Sequence, residues 1–88
     1  MNKYLVEFIG TTLLSFVIFY TNNWMAIGAI LAICVLLGGA ISGGAFNPAV
    51  AIALYSAGKI PNYDVIPYIM VEILGALAGF YAYKQIKK

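Results

Sequence analysis

The sequence predicts an all-α membrane protein built from three transmembrane helices plus one re-entrant half-helix. Three observations predict it. Of 88 residues, 64% are hydrophobic and only 9% are charged. The apolar residues fall into long runs separated by short polar breaks. One further apolar run is too short to cross a bilayer and is introduced by Asn47-Pro48. A soluble domain of this size would cover itself with polar side chains, whereas lipid tolerates an apolar exterior. The length leaves room for three or four crossings of about 20 residues each and for no separate soluble domain.

The first helix is expected over residues 4–20, from Tyr4 to Tyr20. Thr21-Asn22-Asn23 is a polar turn. The second helix follows over 24–41. Residues 42–46, Ser-Gly-Gly-Ala-Phe, break helix geometry and form the re-entrant loop. The half-helix covers 47–57, about 16 Å at 1.5 Å per residue, or half of a bilayer core about 30 Å thick. Asn47 and Pro48 are residue types favoured at N-cap and N1, and Gly58 is a stop signal. Gly58-Lys59-Ile60-Pro61-Asn62 makes a second polar turn, and the last helix runs over 63–84 before a basic tail ending in Lys87 and Lys88. Tyr4, Tyr20, Trp24, Tyr63, Tyr81 and Tyr83 flank the runs as an aromatic belt would. A non-helical stretch at membrane depth survives only where it is buried in protein or lines a wet cavity, so a pore or binding site is implied. The same residues also read as an ordinary surface turn with a surface helix behind it, because short apolar runs are ambiguous.

Composition excludes several functions. The chain has no His and a single cysteine, Cys34, so His-based catalysis, a metal centre and an intrachain disulfide are out of reach within one chain. No enzyme and no cofactor are expected. The net charge of +2 comes from basic residues at run ends, not from a nucleic-acid footprint. The first run, with Lys3 beside it, can be read as a signal peptide. Glu7 and Thr11-Thr12 interrupt its apolar core, no small-residue cleavage pair precedes Asn22, and the rest of the chain is equally apolar. An integral, multi-pass location is therefore expected.

Ser42-Gly43-Gly44-Ala45-Phe46-Asn47-Pro48-Ala49-Val50 resembles the S-G-x-x-x-N-P-A-V segment of the major intrinsic proteins, the aquaporins and glycerol facilitators. Glu7-Phe8-Ile9-Gly10-Thr11 is similar to the opening of their first helix, with Val6 where Ala is usual. Tyr68-Ile69-Met70-Val71-Glu72-Ile73-Leu74-Gly75-Ala76 is similar to their third helix, with Glu72 where Gln is usual. Three segments in the right order weigh against the surface-turn reading. The chain thus resembles a single aquaporin-like half-channel over residues 1–88, whereas the family carries two inverted halves in one polypeptide. No second Asn-Pro occurs in this sequence.

The resemblance implies roles for named residues. Asn47, Pro48 and Ala49 would form the tip where two half-helices meet at the midplane. A helix N-terminus carries about half a positive charge and unpaired amides, which disfavours cations there. The Asn47 amide would orient passing water and interrupt proton conduction; its plainer role is to cap the helix. The carbonyls of Gly43, Gly44 and Ala45 would line the pore as acceptors; a structural glycine turn is the competing view. Glu7 would hold the loop through its backbone amides, and Glu72 would do the same from the opposite side. A buried carboxylate is also a functional candidate in its own right, as a proton relay. Val50 stands where water-selective members place Arg after the second motif, and Ile27 falls at the position of an aromatic or His filter residue. That filter would be apolar and admit glycerol or other small neutral solutes; the plain view makes both residues packing groups. Gly75 and Gly79 form a small-residue face for close helix packing.

Three crossings place the termini on opposite faces. The α-amino group, Lys3 and Lys59 balance Lys84, Lys87 and Lys88, so there is almost no orienting bias. The expectation is dual topology: an antiparallel homodimer that makes one pore, and by family analogy a tetramer of such dimers. The function expected is a passive channel for water and small neutral solutes across the lipid bilayer. The alternatives are a non-conducting or partner-requiring half-channel subunit, and a small dual-topology proton-coupled transporter.

Overall fold

The computed structural model describes residues 1–87; Lys88 lies outside them. Helix α1 spans Lys3–Thr21, α2 Trp24–Ser42, α3 Pro48–Ser56 and α4 Val65–Ile86. A 3₁₀ turn, Asn62–Asp64, leads into α4. Three spans, Lys3–Thr21, Trp24–Ser42 and Asn62–Ile86, are long and apolar enough to cross a membrane.

An asparagine starts each of the first three helices. Asn2 Oδ1 accepts from the Tyr4 and Leu5 amides, Asn23 Oδ1 from Ala26, and Asn47 Oδ1 from Ala49 and Val50. Each cap satisfies donors that have no intrahelical partner. Residues with positive φ end two of them: Asn22 at 45° closes α1 and Gly43 at 90° closes α2. The last helix begins later than the sequence pattern implies, at Val65 rather than Tyr63. The reason lies in Asp64, which makes no cap of its own because Lys3 and Tyr4 take both of its oxygens at 2.6 and 2.7 Å. Pro67 falls in the first turn of α4, where a missing N–H costs nothing.

Helices α1 and α4 run parallel. Lys3 meets Asp64 at one end, and Phe19 packs on Phe80 and Tyr83 at the other. The seam between them is set by Gly75 and Gly79. A Cβ on Gly75 would lie 2.7 Å from the Phe8 carbonyl, and one on Gly79 would collide with the Thr12 carbonyl. Ser15 donates across the same seam to the Ala76 carbonyl at 2.7 Å. Helix α2 packs antiparallel on α1, with Gly38 against Val6 and the Cys34 thiol facing the Gly10 carbonyl at 3.9 Å.

The molecule is inverted relative to a soluble globule. Glu7, Thr11, Ser15, Ser42, Asp64 and Glu72 are buried, while Leu36 is 81% and Trp24 79% exposed. Lipid as the surrounding solvent accounts for both. The protein is an integral, multi-pass, all-helical membrane protein.

Candidate functional site

The segment between α2 and α3 turns back into the molecule, and Glu7 holds it there. Glu7 Oε2 accepts from the Ser42 hydroxyl at 2.6 Å and from the Ala45 amide at 3.1 Å; Oε1 accepts from the Phe46 amide at 2.7 Å. The Ser42 hydroxyl in turn accepts from the Gly44 amide at 3.1 Å, and the Tyr68 hydroxyl donates to the Ser42 carbonyl at 2.7 Å. A non-helical stretch at membrane depth must find partners for its N–H groups inside the protein. Here one carboxylate supplies two of them.

Phe46 completes the anchor. Its φ of 53° is unusual for a residue with a side chain, and its ring lies against Gly10, where any Cβ would collide with it. The buried ring sits with Val6 and Cys34. Sequence reasoning passed over Phe46, Ser42, Tyr68 and Asp64. Only the positive-φ wedge opposite a glycine was unreadable; Ser42 and Asp64 were visible as polar residues beside apolar runs.

This anchoring fixes the depth of Asn47. A groove of about 460 Å³ brings Phe46, Asn47 and Pro48 together with Thr11, Leu14 and Ser15 of α1 and with Glu72, Ile73 and Ala76 of α4. Thr11 to Ser15 and Glu72 to Ala76 are central turns of the two helices, and the groove continues to Ile18 and Phe19 toward the end of α1. The other end of α3 returns to the face that carries Lys3, Lys59 and Asp64, which line one polar hollow. So α3 runs from the level of those central turns to the Lys59 face, about 14 Å for its nine residues.

At the tip, Asn47 Oδ1 is committed to Ala49 at 2.7 Å and Val50 at 3.3 Å, so its NH₂ points away from α3 with no partner among the described residues. Asn47, Ala49 and Val50 are exposed and Pro48 half-buried. Of the expected carbonyl acceptors, Gly43 is exposed and Gly44 half-buried, but Ala45 is 4% exposed and packs with Ala51, Ile60 and Tyr68.

Ile27 and Val50 are far apart in one chain. Ile27 lies two turns beyond Cys34, about 10 Å past the level of Gly10 and toward the face opposite Lys59. Val50 lies on the Lys59 side of the tip. They cannot form one constriction within a single copy. Glu72 is completely buried, and neither of its oxygens has a partner within hydrogen-bond distance among the described residues, although the Asn47 backbone amide lies nearby.

A family model described as "Major intrinsic protein" matches residues 20–88. The chain is similar to glycerol uptake facilitator protein-like 6 of Lactiplantibacillus plantarum, 38% identical over 94 aligned positions that cover 97% of this chain and 44% of that protein. It is similar to aquaporin Z of Brucella melitensis, 54% identical over 41 residues, 47% of this chain and 18% of that one. It is also similar to aquaporin AqpM of Methanothermobacter marburgensis, 44% identical over 69 residues, 73% of this chain and 28% of that one. The chain spans less than half the length of these relatives. No solved structure gives a significant match.

Proposed function

Because the chain belongs to the major intrinsic protein family, we propose that it forms half of a passive pore for water and small neutral solutes, completed by an inverted second copy. The observation that carries this reading is the Asn47-capped tip of α3, which lies at the level of the central turns of α1 and α4 with its amide NH₂ on an exposed face and without a partner among the described residues. A positive helix end and free amide donors in the bilayer centre favour a neutral acceptor such as water and repel cations. One copy leaves that face open. A second copy turned over would bring tip to tip and surround the gap with helices on all sides, an architecture of inverted repeats with half-helices at the midplane.

The solute range follows from the filter. In an inverted pair, Ile27 of one copy comes to the level of Val50 of the other. Both are aliphatic, so the constriction has neither a charge nor a hydrogen-bond donor of its own. Such a constriction passes glycerol-sized neutral molecules as well as water. The names of the relatives, an aquaporin and a glycerol uptake facilitator, fit that pair of solutes. Family membership places the chain among channels rather than enzymes.

Stopped-flow light scattering on vesicles containing only this chain tests the reading. Osmotic shrinkage faster than in empty vesicles, passive and non-saturating, with glycerol entering more slowly than water, is the expected result. Vesicles no more permeable than lipid alone would assign the chain to the partner-requiring class instead. Flux that appears only with a proton gradient would assign it to the proton-coupled class.

A further inference from the structure

We propose that Glu7 and Glu72 form a proton-binding carboxyl pair, in which one proton, carried by Glu72, is donated to Glu7 and helps seat the re-entrant segment. Glu7 holds the Phe46 amide, and Glu72 lines the same groove as Phe46 and Asn47, so the two carboxyl groups converge on one stretch of chain. Their surroundings are unequal. All three donors, from Ser42, Ala45 and Phe46, go to Glu7 at 2.6, 3.1 and 2.7 Å. Glu72 is 0% exposed, and among the described residues neither of its oxygens has a partner within hydrogen-bond distance.

Among the described residues no cation is paired with either carboxyl, so a second negative charge would go without an offset. From α1 the neutral Thr11 hydroxyl lines the same groove as Glu72 and has no partner among the described residues. From α2 come the Ser42 hydroxyl, already donated to Glu7, and the Cys34 thiol, turned to the Gly10 carbonyl. From α3 comes the partial positive charge of the helix tip. On α4 the Tyr68 hydroxyl is committed to the Ser42 carbonyl. Lys3 is held at the surface by Asp64. Two bare carboxylates in contact, inside lipid and away from water, repel one another and lose their hydration. A single proton on Glu72 removes the repulsion and turns Glu72 into a donor to Glu7. The proton is placed on Glu72 because the Ser42, Ala45 and Phe46 donors already occupy the Glu7 oxygens. The arrangement stands whether or not the chain conducts.

Infrared spectroscopy reads this directly, since the C=O stretch of a protonated carboxylic acid is separate from that of a carboxylate. The full chain is measured in an ester-free detergent at neutral pH. Asp and Glu total three in this sequence, so each can be assigned. The expected spectrum shows one protonated carboxyl per chain. The band shifts on side-chain ¹³C-glutamate labelling, survives Asp64→Asn and disappears in Glu72→Gln. Absence of the band, a band unmoved by the glutamate label, or intensity for two acids per chain would overturn the proposal. The labelling experiment uses the unmutated chain, so it decides the question even if Glu72→Gln fails to fold.

Discussion

A single carboxylate, Glu7, carries more of this structure than any other side chain. It gathers the Ser42 hydroxyl and the Ala45 and Phe46 amides, three donors that would otherwise be stranded inside a membrane. Hydrogen bonds to a charged group are worth about 1.5–3 kcal/mol each, and an orphaned buried donor costs about 1–3 kcal/mol. Ser42→Ala removes one donor and should destabilise the fold by about 1–3 kcal/mol. Glu7→Leu strands all three and should cost clearly more. Unfolding in mixed micelles, followed by circular dichroism, gives both numbers, and equal effects would contradict the central role of Glu7. At Asn47 the cap and the proposed pore donor are the same amide. Asn47→Ala should cost about 1 kcal/mol of stability through loss of the cap. In vesicles it should raise cation leak while leaving osmotic water flux largely intact. A pH-sensitive dye and a light-scattering trace on one preparation separate the two.

Among the elements, the seam between α1 and α4 is set by backbone against backbone. A side chain at Gly79 would meet the Thr12 carbonyl, the Phe16 amide and the Ser15 Cβ, and main-chain atoms cannot move aside as a flexible side chain can. Gly79→Leu should therefore prevent the helices from closing, at a cost of about 3 kcal/mol or more. Gly28 has nothing within 4 Å of its Cβ position. Gly28→Ala should stay within about 0.5 kcal/mol of the unmutated chain, and the same micelle unfolding compares them. Both glycines look alike in sequence; only the GxxxG spacing of Gly75 and Gly79 hinted at the difference. The helices themselves were legible for simple reasons: long apolar runs, asparagine caps and glycine stops are local signals. The start of α4 was not, because Asp64 is drawn to Lys3 and Tyr4 some 60 residues away. The tip of α3 was legible from Asn47-Pro48. Burial of Ala45 and the isolation of Glu72 were not, since both depend on what other helices bring against them.

For the whole molecule, the question is what covers the open face. The two membrane faces carry nearly equal numbers of basic groups, and Asp64 already engages one of them, Lys3. Orientation by positive charge is then undecided, and both orientations should coexist. Thr21→Lys with Gln85→Lys weights one face, and Ala57→Lys with Asn62→Lys weights the other. Each biased chain alone should lose osmotic flux in vesicles, and co-expression of the two should restore it. Flux retained by either one alone would contradict the inverted pairing. The most direct measurement of that pairing is a distance between copies by pulsed electron paramagnetic resonance, with Cys34→Ala as background. A spin label at Val50→Cys sits near the α3 tip, and one at Lys59→Cys sits in the turn just beyond the surface end of the same helix. Copies that meet tip to tip upside down predict a short Val50 distance and a Lys59 distance of about 30 Å or more, the thickness of the bilayer core. Lys59 labels as close together as the Val50 labels would mean that the copies point the same way, and the proposed pore could not exist.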